Sequence, residues 1–214
     1  MSAIRRLGRP PASSGVQTEA RIIEAARRCF ADLGYAATTN RAIAEDAGIT
    51  TGAIYHYFDS KQALFERVFT QVEELVSERL SAAWRGAGDE FAHRMRAVLE
   101  ASVVLNRDDA SLARFLVTVP TECRRRPELA PLLGLLNGYQ ERVFGPVVDD
   151  GIARGELPAD VARSTLLNVI GVVLVGLADV SANFSSPEQH AANADVVGRL
   201  FEGTLIPAPV SRVS

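Results

Sequence analysis

Two threonines, Thr39 and Thr50, with Gly48 between them restrict residues 39–58 to one local geometry. Thr39 is a natural N-cap, because its hydroxyl can accept from one of the unpaired N–H groups of a first helical turn. Ile43, Ala44 and Ala47 follow as a short apolar stripe. Gly48 then ends the helix, since glycine takes the left-handed C-terminal conformation without a Cβ penalty. Thr50 can cap a second helix that buries Ile54 and leaves Thr51, Gly52, Ala53, Tyr55 and His56 facing outward. Two helices joined by a tight turn containing glycine form a helix-turn-helix, whose second helix suits a DNA major groove.

The rest of the chain reads as helical almost throughout. Ile22, Ala26, Cys29, Phe30 and Leu33 recur at helical spacing, which predicts a first helix over 18–33 stopped by Gly34. Asp59 or Ser60 caps a long helix reaching about Trp84, with Asp59 and Gln62 as a capping box. Further helices are expected near 89–106, 110–119, 127–153, 159–183 and 187–204. The breakers between them are 106–109, Pro120 to Pro127, 155–158 and 185–187. Pro131, Gly134, Gly138 and Pro146 should kink or split the 127–153 helix. No alternating-period run demands a strand.

These residues carry a resemblance. Residues 1–61 resemble the DNA-binding region of the TetR family of bacterial transcription regulators. The match runs through the first helix, Thr39–Gly48, Thr50–Phe58 and the following Ser60-Lys61-Gln62-Ala63-Leu64-Phe65. The fold class it implies is all-α: an N-terminal three-helix DNA-binding domain with the helix-turn-helix, then a larger helical ligand-binding and dimerisation domain. The expected organisation is a basic flexible tail over 1–15, the DNA-binding domain over 16–61, and the effector-binding and dimerisation domain over 62–206.

At the DNA end, Thr39 and Thr50 stand at helix N-termini, where hydroxyls and unpaired N–H groups favour phosphate. The resemblance adds Tyr55, Tyr57 and Lys61 as backbone contacts, with His56 near the phosphate or base edge. Base reading falls to Thr51, Gly52 and Ala53. Many family members carry lysine, glycine and threonine there. Small side chains can touch thymine methyls but make no bidentate guanine contact. Recognition is therefore expected to lean on DNA shape, on Arg41, or on the arginine tail in a minor groove.

Charge supports this division. The 214 residues carry a formal net charge of −3. Residues 1–61, however, hold eight basic side chains against six acidic ones, and the remainder fifteen against twenty. Phosphate neutralisation needs only local positive charge. The N-terminal residues lack the apolar core of a secretory signal. The apolar run Leu166–Val180 falls short of the roughly 20 residues of a membrane span, so it reads as a buried helix. Cys29 and Cys123 have no metal or redox spacing, and a cytoplasmic setting without a membrane partner is expected.

The C-terminal two-thirds shows no catalytic or metal pattern, so no enzyme activity, cofactor or metal is expected. His93 and His190 read as solvated or core groups, and Arg124-Arg125-Arg126 as a solvated charge run. The resemblance implies a small-molecule pocket, for which Trp84, Phe91, Met95, Phe115, Tyr139 and Phe144 are the candidate aromatic and apolar lining. It also implies a homodimer through the 159–183 and 187–204 helices. Leu166, Leu167, Ile170, Val173, Leu174, Leu177 and Val180 leave the first of these apolar on nearly all sides. The resulting reading is a sequence-specific regulator, a homodimeric repressor released from a palindromic double-stranded DNA operator by a small apolar or amphipathic ligand. The alternatives are a DNA-binding regulator with no small-molecule effector, and a helical ligand-binding or enzyme module with an incidental helix-turn-helix.

Overall fold

The computed structural model describes residues 13–184 and 186–205. All but the last three residues of the 1–15 tail thus lie outside the described residues. Regular structure among the described residues is entirely helical: α1 Ser13–Ala37, α2 Asn40–Ala47, α3 Thr51–Tyr57, α4 Lys61–Arg85, α5 Phe91–Asp108, α6 Ala110–Arg125, a 3-10 turn Pro127–Leu129, α7 Leu132–Ala153, α8 Arg163–Phe184 and α9 Pro187–Phe201. The chain divides into two compact units, Met1–Val68 and Phe69–Ser214.

The N-terminal unit forms around the apolar face of α1. Ile22, Ala26 and Phe30 are fully buried there with Ile43, Leu64 and Phe65. The Phe30 and Tyr35 rings both meet Phe65 edge-on, with centroids 4.9 and 5.2 Å away. Such pairs add stabilisation beyond their buried area. Gly34, at φ 75° and ψ 168°, leaves the helical conformation and stops the first stretch of α1 at a kink, as expected, and a separate short turn follows to Ala37. Leu33, which the periodicity places in the core, is 52% exposed just ahead of that kink. Ser60 is the cap of α4, accepting from the Ala63 N–H at 3.0 Å, while Gln62 reaches forward to Glu66.

In the C-terminal unit, α5 packs most extensively on α9, and α8 packs on both α6 and α7. Two expected breakers behave differently. α6 runs straight through Pro120 to Arg125. An internal proline removes the one hydrogen bond its nitrogen would give to residue 116. The buried face Phe115, Val119 and Cys123 carries the helix across that gap. The 127–153 span does split, into the 3-10 turn and α7, and α7 continues through Pro146.

α8 is the main departure from the sequence reading. It is long and apolar enough to cross a membrane by length and composition, and only 28% of its apolar stretch is buried within the chain. Leu167, Ile170 and Leu177 face inward. Val169, Val172 and Val175 are 54%, 72% and 51% exposed. A helix apolar on all sides is thus only half covered by its own chain. α9 adds Val196 and Leu200, also exposed.

Candidate nucleic-acid interface and cavity

The helix-turn-helix is built by caps and by ties to α1. The Thr39 hydroxyl accepts from the Ala42 N–H at 3.1 Å, so its oxygen already serves α2. Gly48 sits at φ 64°, ψ 41°, and its N–H returns to the Ala44 and Glu45 carbonyls. This left-handed position strains any residue with a Cβ. Arg21 of α1 donates to the Ala47 carbonyl at 2.5 Å, and Arg28 holds Asp46 at 2.7 Å. The turn between α2 and α3 is therefore anchored on α1 from two sides.

α3 has seven residues, with Ile54 as its buried side chain. Thr50 precedes it in extended conformation and its hydroxyl makes no cap hydrogen bond. Gly52, Tyr55 and His56 are exposed, and Thr51, Ala53 and Tyr57 are half-buried. A Cβ added at Gly52 would meet nothing within 4 Å, so the fold itself does not require glycine there. The His56 and Tyr57 rings meet edge-on at 5.3 Å. Arg41 projects from α2 and pairs with Glu45 at 3.0 Å, both side chains being largely exposed. Such a pair is worth only about 0.3–0.5 kcal/mol and yields readily to a phosphate.

Lys61 is placed differently from the other candidates. Its ammonium donates to the Tyr35 and Thr38 carbonyls at 2.8 and 3.0 Å and lies 4.5 Å from the centre of the Tyr35 ring. The single lysine of the chain is thus a clamp on the carbonyl end of α1. Its position just after α3 marks it in the sequence, but does not give the direction of its charge.

The C-terminal unit holds a partly open cavity of about 490 Å³, walled by residues of every helix from α4 to α9. That is within the usual size range for small-molecule sites. Of the six expected lining residues, Tyr139 and Phe144 are on its wall and Trp84, Phe91, Met95 and Phe115 are not. The reason is helical phase. On α6, Leu112, Leu116 and Pro120 turn to the cavity, while Phe115 and Val119 turn to the solid core. Trp84 lies under Arg94, whose guanidinium carbon is 5.5 Å from its ring centre and which pairs with Asp150 at 2.6 Å. Phe91 packs edge-on against Phe201.

The sequence reading missed the polar wall residues, chiefly Glu73, Ser102, Asn106, Gln140 and His190. The spacing of Ser102 and Asn106, four apart on α5, was the available signal. His190 is 3% exposed. Burial pushes its imidazole below the ordinary range, against a smaller opposing pull from the Ser102 backbone. Burial, with the Glu73 carboxylate nearby, pushes the Tyr139 phenol upward, so it stays a neutral donor. Glu73 itself pairs with Arg142. The three arginines 124–126 do not line the cavity; Arg124 bonds Thr121 and Arg126 pairs with Glu122. His93 is exposed and pairs with Glu90. Among the described residues no group of His, Cys, Asp and Glu is arranged to hold a metal.

An exposed second helix behind a glycine turn, on a chain whose second unit holds a cavity, defines a two-unit helix-turn-helix protein. Residues 22–68 match the model of the bacterial regulatory proteins of the tetR family. The helix-turn-helix region of the chain is thus that of the TetR family of bacterial regulatory proteins. The chain is 25% identical over 166 residues to the HTH-type transcriptional regulator UidR of Escherichia coli, covering 77% of this chain and 82% of the relative. The HTH-type transcriptional repressor AcnR of Corynebacterium efficiens is 46% identical over 66 residues, 31% of this chain and 35% of that one. Among solved structures, the transcriptional regulator FadR of Bacillus subtilis, in complex with stearoyl-CoA, superposes with a TM-score of 0.70 at 22% identity, covering 86% of this chain and 98% of that one.

Proposed function

We propose that this protein is a homodimeric repressor that binds a palindromic operator and leaves it when a small apolar or amphipathic ligand enters the cavity. The observation that carries this reading is the 490 Å³ cavity in the C-terminal unit of a chain whose other unit is a helix-turn-helix. The Bacillus subtilis FadR, which shares this fold, is in complex with stearoyl-CoA, an amphipathic molecule. α3 and its flanks supply the DNA contacts: Thr50, Tyr55 and Tyr57 to phosphate, with His56 at the phosphate or base edge. Thr51, Gly52 and Ala53 face the bases, and Arg41 stands beside them. Thr39 contacts phosphate through its position at the start of α2. Lys61 acts there mainly by holding α1.

The exposed valines of α8, with Val196 and Leu200 of α9, are the proposed self-association surface. A contiguous apolar patch of this kind on a soluble chain marks an interface. Dimerisation also answers the shortness of α3, because two half-sites about one helical turn apart specify what one short helix cannot. α4 contributes Leu64 and Phe65 to the N-terminal core and Val76 and Leu80 to the cavity wall. A ligand that favours one tilt of α4 therefore biases DNA affinity, by the roughly 1–3 kcal/mol typical of such coupling. The working compartment is the cytoplasm, where the DNA is.

The test is selection of bound sequences from a random duplex pool by the full chain, followed by operator release with apolar compounds. An enriched palindrome that apolar compounds release supports the reading. Enrichment with no release by any of them removes the effector, and no enrichment removes the repressor.

A further inference from the structure

If the cavity is the effector site proposed above, the helix that walls it also bears the exposed apolar face. α8 supplies Gly171, Leu174, Val175, Leu177 and Ala178 to the cavity wall. Val175 belongs to wall and face alike, lining the cavity while 51% exposed. Val169 and Val172 continue the face at 54% and 72%, and neither lines the cavity. Gly176 is exposed, and a Cβ there would meet nothing within 4 Å, so that turn of the face is open as well. On this side a single helix stands between the partly open cavity and water.

We infer that the cavity is completed by a second copy of this chain, whose α8 packs over Val175, so that the effector binds the dimer more tightly than the separated protomer. The face itself selects a second copy. From Ser164 to Ala178, α8 carries no charged residue. The charges beside the face, Asp179 before Val180 and Arg199 before Leu200, are opposite in sign, so the face does not repel its own copy. The seven-residue α3 needs a second half-site, which only another copy supplies. Excluding water from the valines excludes it also from the cavity at Val175, and an apolar ligand gains as the rest of its surface leaves water. By reciprocity the ligand strengthens the dimer. Operator release then proceeds by a change within the dimer and not by its dissociation.

The probe is the apolar fluorophore phenylnaphthylamine, titrated into the full chain and into Val172→Asp and Leu200→Asp. Neither residue lines the cavity, and the two lie on different helices. Sedimentation gives the state of each protein, thermal melting shows which are folded, and one folded variant suffices. Folded monomers should bind the probe about tenfold more weakly than the wild-type dimer, the worth of roughly 55 Å² of apolar surface taken from water. Dilution of the wild type through its dimer–monomer transition makes the same comparison without substitution, the apparent affinity falling with protein concentration. Val172→Leu, which keeps the face apolar, should stay dimeric and bind as the wild type does. A folded monomer that binds the probe as tightly as the dimer overturns this inference alone and leaves the ligand-released repressor standing. Aspartate variants that stay dimeric overturn both the inference and the proposed self-association surface. No binding of the probe by the wild-type dimer overturns the inference, while selection from the duplex pool still decides whether the chain reads an operator.

Discussion

Lys61→Met separates a structural lysine from a DNA-contacting one. The substitution keeps the methylenes and deletes the charge. In the structure that charge serves the carbonyls of Tyr35 at 2.8 Å, Thr38 at 3.0 Å and Ala36 at 3.4 Å, and rests near the Tyr35 ring. Hydrogen bonds from a charged donor are worth about 1.5–3 kcal/mol, and an exposed cation–π contact about 0.5–1 kcal/mol. Lys61 is half-buried, and water can reach the carbonyls once the ammonium is gone. A net loss of about 2 kcal/mol is therefore expected. With a urea dependence of about 1–3 kcal/mol per molar, the midpoint should fall by about 1 M. Urea unfolding followed by far-ultraviolet circular dichroism reads this directly. Operator affinity measured against salt supplies the second axis, since each phosphate contact contributes about 0.9 to the log–log slope. The expected variant is less stable with an unchanged slope. An unchanged midpoint with a slope reduced by about one would refute the clamp and return Lys61 to the phosphate backbone.

Gly52→Ala should separate folding from binding in the opposite sense. Space is open at Gly52, so alanine stabilises α3 by up to about 1 kcal/mol, while its methyl meets the bases and weakens operator affinity. Unaltered affinity would place the DNA elsewhere than over Gly52. Val172→Asp, at a position 72% exposed, should leave the protomer folded but convert the dimer to monomer in sedimentation. A dimer that persists would move the interface off α8. His190 gives a pH dependence whose sign is fixed. Its folded-state pKa lies below the ordinary value of 6.5, so the unfolded chain binds the proton more readily. The stability it confers is present above pH 6.5 and declines as the pH falls through that value toward the folded pKa. Denaturation midpoints at pH 7.5 and 5.5 should differ in the wild type, about two units spanning the transition, and differ less in His190→Phe. An identical pH dependence in the variant would show that His190 is not the group responsible.

Local chemistry made the N-terminal unit legible. Thr39, Gly48 and Ile54 each do in the structure what their residue type dictates, because caps, left-handed turns and a single buried side chain depend on neighbours within a few positions. The same local rules found α4, α5 and α9 to within a few residues at either end. They failed where packing outweighs them. Pro120 does not break α6, because Phe115, Val119 and Cys123 hold both sides of it in the core. The position of Lys61 in the sequence points to phosphate, whereas its charge is captured by carbonyls 23 and 26 residues away. The cavity was least legible of all. Aromatic residues at helical spacing suggest a pocket and a solid core alike, and only helical phase separates Phe144, on the wall, from Phe115, which is not.

The helices around the cavity carry several residues that weaken a helix. Pro120 lacks a hydrogen bond in α6, and α7 contains Gly134, Gly138, Gly145 and Pro146. On α8, a Cβ at Gly171 would stand 2.3 Å from the Gln140 amide nitrogen, so the absence of a side chain lets Gln140 lie across that helix. Each feature costs helix stability, roughly 1 kcal/mol for an internal glycine and about 3 for an internal proline. Around the cavity, that cost is one a bound ligand could repay. Low local stability is what a segment needs if modest binding energy is to shift its conformation. The residues that obscured α6 and α7 in the sequence, Pro120, Gly134, Gly138 and Pro146, are thus those that lower the intrinsic stability of two helices beside the cavity.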